Sequence, residues 1–185
     1  MAFTQTENSS TFNYRIATNK DTCNIVDLVH SAYRGETSRN GWTTEANFLD
    51  GTRTDAVEVN TIINTPGNAI VLCENNNQLL ASVHLQKQGD TAYLGMFAVR
   101  PTLQNNGIGK ALLATAEQTA QQQWQCTSMH MTVITLRTEL ISWYERRGYQ
   151  RSGLFKPFPY GQPRYGSPKR DDLLLEVLEK KLNTT

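Results

Sequence analysis

An α/β fold built on a mixed sheet is what this sequence predicts, and three observations carry that expectation. Leu94 to Ala114 reads as a strand, a glycine-bearing turn and a helix, and Ser128 to Ile134 then alternates Met129, Met131 and Val133 as a second strand. A strand–helix–strand succession makes its two strands parallel neighbours. Ala69 to Glu74 and Gln78 to Gln86 flank Asn75-Asn76-Asn77, which marks an antiparallel hairpin. At 185 residues, with 38% hydrophobic and 19% charged side chains, the chain suits a single globular domain over 1–185, with residues 1–11 a loose tail.

In order, Phe12 to Ala17 is a short first strand, and Thr22 caps a helix to about Tyr33 that buries Ile25, Val26, Leu28, Val29 and Ala32. A polar stretch around Gly35 and Gly41 carries Trp42. Short helices follow over Thr44 to Leu49 and Thr54 to Ile63, stopped by Gly51 and by Pro66-Gly67. In the second hairpin strand Leu79, Ala81, Val83 and Leu85 share a core face, while Leu80, Ser82, His84 and Gln86 share a partly polar one. Ala92 to Val99 then leads through a loop to a helix over about Gly107 to Gln123, with Ile108, Ala111, Leu112, Thr115 and Ala116 turned to the sheet. Thr138 caps a short helix that Gly148 ends. Four of the six prolines fall between 157 and 168, among Phe155, Phe158, Tyr160 and Tyr165, which excludes regular helix or central strand and marks an ordered aromatic loop. Asp171 to Leu178 is the last strand.

Composition removes several classes. A formal net charge of +1 advertises neither a nucleic-acid nor a membrane partner. Cys23, Cys73 and Cys126 are odd in number and far apart, and His30, His84 and His130 are scattered, so neither a disulfide framework nor a metal site is expected. The polar N-terminal stretch has no apolar run of the signal-peptide kind, and a reduced, cytoplasmic setting is the default.

The loop after Val99 is where chemistry concentrates. A glycine-bearing turn at a helix start is a natural anion site, because the first N–H groups are unpaired and the positive end of the helix dipole lies there. A P-loop would need glycine at 104 and a hydroxyl after Lys110, but Gln104 and Ala111 stand there. A dinucleotide fingerprint would need a third glycine where Leu112 stands.

What fits is Gln104-x-x-Gly107-x-Gly109, directly after a strand ending in Val-x-Pro. It resembles the pyrophosphate loop of the GNAT superfamily of N-acetyltransferases, and Tyr144-Glu145-Arg146-Arg147-Gly148-Tyr149 resembles the ending of that family's final helix. The resemblance implies a mostly antiparallel sheet of about six to seven strands with one parallel, splayed pair, flanked by about four helices. It implies acetyl-CoA as co-substrate, with no metal, held by backbone N–H groups of Gln104, Asn105, Asn106, Gly107, Ile108, Gly109 and Lys110. The pantetheine arm would lie along Phe97, Ala98 and Val99. Tyr144 would be the general acid that protonates the departing thiolate. A phenol titrating near 10 stays protonated at neutral pH and can donate to a thiolate that titrates near about 8.5. Arg137 stands where the family often has Asn, so it can pair with a phosphate or with a substrate carboxylate instead.

The function this implies is direct transfer of an acetyl group to a primary amine of a small molecule or peptide in a ternary complex, by a monomer or homodimer. An alkyl amine near pKa 10.4 is protonated at pH 7, so a group must take its proton. Glu36 and Glu45, in the turn-rich region that frames the acceptor, and His84, on the hairpin, are the candidates. Arg34, Arg39 and Arg53 are available for an anionic part of the acceptor. A non-catalytic acyl-CoA sensor or interaction module is the alternative reading.

Overall fold

The computed structural model describes residues 12–162 and 165–182; the expected loose tail at 1–11 lies outside them. Seven strands form one mixed sheet: β1 (Asn13–Ile16), β3 (Asn68–Asn75), β4 (Gln78–Gln88), β5 (Thr91–Val99), β6 (Ser128–Ile134), β7 (Gln150–Pro157) and β9 (Leu174–Lys181). Their spatial order is β1-β3-β4-β5-β6-β9-β7, and only the β5–β6 pair is parallel. A second, two-stranded ribbon joins β2 (Leu49–Asp50) to β8 (Ser167–Pro168). Four longer helices, α1 (Thr22–Tyr33), α3 (Ala56–Asn64), α4 (Ile108–Trp124) and α5 (Thr138–Glu145), accompany a single turn, α2 (Gly35–Ser38). Among the described residues no helix is long and apolar enough to cross a membrane.

Helices cover both faces of the sheet. Ile25, Leu28 and Val29 of α1 and Val59 of α3 pack on Ile70, Leu72, Met96 and Ala98. Leu112, Leu113, Ala116 and Ala120 of α4 pack with Val71, Val83, Leu85 and Leu94 on the opposite face. This explains why β3 is buried along most of its length instead of alternating, as a strand sandwiched by helices must be. Each fully buried Leu or Ile contributes roughly 1.5–3 kcal/mol. Leu80 and Leu79 depart from the expected alternation, because a register shift between Cys73 and Glu74 sets Leu80 with Ala81 in one core and Leu79 in the other. The hairpin turns on Asn76 and Asn77, both at positive φ (48° and 61°), as a tight two-residue turn requires.

Three expectations need correction. Thr44 to Leu49 is not a helix: it makes one turn, then Phe48 and Leu49 are drawn into a third small core with Ile134, Phe158 and Leu173, and Leu49–Asp50 pairs with β8. Tertiary burial there outweighs local helix preference. Thr22 and Thr138 are first helical residues, not caps; Thr22 Oγ1 instead donates to Asn19 O and bonds Asn60 Oδ1. The chain from Gln150 to Pro157 enters the sheet as β7, an edge strand, where proline at the end is tolerated.

One irregularity shapes the centre of the sheet. The β5–β6 ladder stops at Tyr93–His130, so beyond it the two strands diverge. On its other side β5 pairs Gly95 with His84 and Ala98 with Ser82, which sets Met96 and Phe97 opposite Val83 alone. Met96 has φ +46°, a bulge conformation that sharpens strand twist. From Leu94 onward one edge of β5 has no strand partner, and its backbone groups face the gap.

Candidate active site

Two cavities lie along that gap, and a third adjoins them on the α3 side of β5. The first, about 350 Å³, is lined by Phe97, Val99, Gln104, Asn105, Gly107, Gly109 and Lys110 on one side and by Leu140, Trp143, Tyr144 and Arg147 on the other. The second, about 120 Å³, shares Tyr33, Phe97, Arg137, Leu140 and Tyr144 with the first, and adds Arg34, Glu45, Arg53, Tyr93, Phe158 and Tyr165. The third, about 820 Å³, shares Arg53, Tyr93, Gly95, Met96 and Tyr165 with the second and reaches His84. Shared walls set the three side by side.

One wall of the first cavity is a glycine-bearing loop that turns onto a helix start. Gly107 is the N-cap of α4 at φ +78°, and Asn105 sits at +69°. Two left-handed residues turn the loop onto the start of a 17-residue helix whose first N–H groups have no partner within the helix. Gln104 does not point at the cavity alone: its Nε2 donates to Val99 O at 3.2 Å, and its Oε1 accepts from Trp42 N at 3.0 Å. It fastens the loop to β5 and to the segment after α2. A Cβ on Gly109 would meet Trp143 Cζ2 at 3.5 Å, so α4 and α5 run close there. Ala98 and Ile108 turn their side chains into the cores, leaving only backbone for a ligand, and Asn106 is solvent-exposed.

Arg147 and Trp143 border this cavity without having been expected there. Arg147 Cζ stacks 3.5 Å from the centre of the Trp143 ring, which in turn lies 6.4 Å from Trp42. The i, i+4 spacing of an aromatic and an arginine on a short helix was the available signal.

Tyr144 stands where the first two cavities meet, 4% exposed, with its ring against Phe97, Trp143 and Tyr149. Burial pushes its phenol well above the ordinary value near 10; Tyr33 adds to the rise and Arg137 opposes it. Tyr33 is raised as well, by burial first, with Arg53 working against the shift.

The second cavity is built from side chains far apart in sequence. Arg34 is 2% exposed. Its Nε and Nη2 donate to Glu45 Oε2 (3.2 and 3.0 Å), its Nη1 to Asp50 O and Thr52 O (3.2 and 3.3 Å), and its Nη2 also to Tyr165 O at 3.3 Å. Arg137 donates from Nη1 to Glu45 Oε1 (3.1 Å) and from Nη2 to Thr43 Oγ1 (2.8 Å). One carboxylate thus joins two buried guanidinium groups. Gly166, at φ +81°, allows the roof to come down on this pair: a Cβ there would collide with Arg34 Nη1 and Asp50 O. Lys169 Nζ ties the same roof to Ala46 O at 2.8 Å.

The three candidate bases fall in different places. Glu36 is 92% exposed and ion-paired with Arg39 on the same turn. Glu45 lines the second cavity with both oxygens engaged by arginines. His84 lines the third, its Nε2 2.8 Å from Asn68 Oδ1 and its ring edge-on to Tyr93. Of the three arginines considered for an anion, Arg34 is fully committed and Arg39 faces outward toward Glu36 and Asn47, whereas Arg53 borders the second and third cavities.

A glycine-capped helix start beside two diverging parallel strands, with adjoining cavities between α4, α5 and the sheet, defines the class: an α/β protein with a site suited to an extended, anionic ligand. The family follows from comparison with known proteins. The family model described as acetyltransferase (GNAT) family matches residues 26–149, and the chain belongs to that family, whose members use acetyl-CoA as co-substrate. Its fold resembles that of the ribosomal-protein-S18-alanine N-acetyltransferase from Escherichia coli, with a TM-score of 0.68 at 14% identity over 95% of this chain and 96% of that one. An N-acetyltransferase from Staphylococcus aureus Mu50 superposes with a TM-score of 0.70 at 16% identity, covering 93% and 98%. An IAA acetyltransferase from Bacillus cereus ATCC 14579 gives 0.63 at 13% identity, covering 93% and 100%. Identities this low carry the fold alone. A comparison with curated protein sequences found no match.

Proposed function

We propose that the protein transfers the acetyl group of acetyl-CoA directly to a primary amine, within a ternary complex and without an acyl-enzyme. The observation that supports this reading is the shared wall between two cavities: the glycine loop and Tyr144 border one, and Tyr144 borders the next. The backbone N–H groups of residues 104–110, with Lys110 beside them, would hold the pyrophosphate. The unpaired edge of β5 at Phe97 to Val99 would receive the pantetheine amides, and an N–H there would polarise the thioester carbonyl. Cys126 is buried at the end of α4 in the core, which suits no covalent route.

The amine nitrogen attacks the thioester carbonyl carbon, the C–S bond of the tetrahedral adduct breaks, and the Tyr144 hydroxyl gives its proton to the sulfur. Because burial holds that phenol protonated, the acid is in the correct state throughout the neutral range. The proton lost by the amine leaves through the third cavity, where His84 receives it by way of water. Glu45 is better suited to hold Arg34 and Arg137 in place than to accept a proton, and Glu36 lies in solvent.

A thiol-release assay with acetyl-CoA and a library of amino acids, polyamines, aminoglycosides and peptides tests this. Acetyl-dependent CoA release with at least one amine class is expected, and Tyr144→Phe should lower turnover by about a hundredfold or more while acetyl-CoA binding persists. Tight acetyl-CoA binding with no release from any amine would favour a sensor instead.

A further inference from the structure

Arg53 lies where the second and third cavities meet, and its charge has been given no task. Its half-buried guanidinium sits over the Tyr33 ring, 5.7 Å from Cζ to the ring centre. Nη1 is buried and has no hydrogen-bond partner among the described residues. Glu45 and Glu58 act on it only at longer range, since neither forms an ion pair with it. A charged group partly removed from water and left unneutralised is costly, and a matching anion recovers that cost.

The position is also fixed. Arg34 holds Asp50 O and Thr52 O just before it. Just after it, Thr54 Oγ1 donates to Glu58 Oε2 at 2.8 Å, and Asp55 caps α3 by accepting from Glu58 N at 2.8 Å. Both flanks of Arg53 are pinned, so little freedom remains to be lost on binding.

Charge agrees with geometry. The second cavity is lined by Arg34, Arg53 and Arg137 against Glu45 alone, an excess of two positive charges. The third adds Asp55 and Glu58, which cap and brace the start of α3, so the positive excess is confined to the second cavity. The second cavity therefore disfavours an ammonium group and more strongly a polycation.

Resting on the acetyltransferase reading, we propose that the acceptor is an amine that also carries an oxyanion, of carboxylate or phosphate type, and that Arg53 binds that oxyanion while the amine lies toward Tyr144. Arg53 is then the residue that decides between anionic amines and polyamines, which share the same reacting group.

The test uses matched pairs in the thiol-release assay: each ω-amino carboxylate and aminoalkyl phosphate against the alkylamine of equal chain length, with spermidine as the cationic extreme. Wild-type kcat/KM should favour the anionic member by about tenfold to a hundredfold, the range of one charged hydrogen-bonded contact. Arg53→Gln should bring that ratio close to one, mainly through KM, and Arg53→Lys should keep part of it, with acetyl-CoA affinity unchanged in both. Whichever of the two oxyanions gives the larger ratio identifies the acceptor's group. Equal use of neutral amines or spermidine, or a ratio indifferent to Arg53→Gln in a folded variant, overturns the proposal and leaves the acetyltransferase reading intact. If no amine releases CoA, calorimetry of the CoA-bound protein with the same pairs decides: oxyanion binding lost in Arg53→Gln sustains the site without the transferase, and absence of binding overturns both. Should Arg53→Gln fail to fold, the Arg53→Lys ratio carries the decision.

Discussion

The two ends of the cleft are made from different materials. The proposed co-substrate end takes one wall from contiguous chain, a strand edge, a loop and a helix start within Phe97 to Lys110, with the side chains of α5 laid alongside. The acceptor end is mostly side chain: Arg34, Glu45 and Arg137 come from three elements, and Tyr165 closes over them from a fourth. Backbone cradles tolerate many side chains, so one end can stay constant while the other is rewritten. They also differ energetically. The loop contributes little to holding the fold together, whereas the arginine–carboxylate knot is buried and intolerant of losing a member.

That contrast breaks most readily at Glu45. Glu45→Ala leaves two buried guanidinium groups facing each other, and about 3–5 kcal/mol of stability should be lost, on the order of 10 °C in melting temperature. An unchanged melting temperature would mean the knot is not structural. Gly166→Ala comes next: a forced left-handed alanine against Arg34 and Asp50 should cost about 1–3 kcal/mol and raise the acceptor KM, with acetyl-CoA affinity preserved. Calorimetric titration with acetyl-CoA checks the preserved half. Lys110→Ala, at the other end, should do the reverse. Acetyl-CoA should bind roughly tenfold more weakly and the melting point should stay within the ~0.5 kcal/mol of ordinary surface changes.

The smallest effect concerns pH. Tyr144 and Tyr33 are raised above the ordinary tyrosine range by burial, so each stays protonated where a free phenol would ionise. The rate should therefore climb as the amine deprotonates and show no falling limb by about pH 10. By the same sign, their contribution to stability is complete below about pH 10 and declines as pH rises further. A descending limb near 9 in kcat would assign the acid to another group.

The same difference explains what could be read in advance. Residues 104–110 owe their shape to local conformation, and Gly107 marks that shape in the sequence. The mixed sheet and its parallel pair were legible too, since hairpin and strand–helix–strand patterns are contiguous. The short helix expected over Thr44 to Leu49 was not found, because its fate is decided by Phe158, Ser167, Pro168 and Leu173, which no local pattern reveals. Tyr33, which borders two of the cavities, was read only as the end of a helix. Arg34 and Arg53 were indistinguishable as letters. Only the fold shows that one is spent on five hydrogen bonds while the other faces the cleft.

The order of strands also has a meaning in time. β9 is the last strand in sequence, yet it lies between β6 and β7. Until residues 174–181 are available, β6 presents an open edge at the floor of the acceptor end and β7 has no strand to join. The co-substrate loop and its helix need only neighbours already made. A chain emerging N-terminus first therefore completes the loop and α4 before it can complete the sheet beside the second cavity.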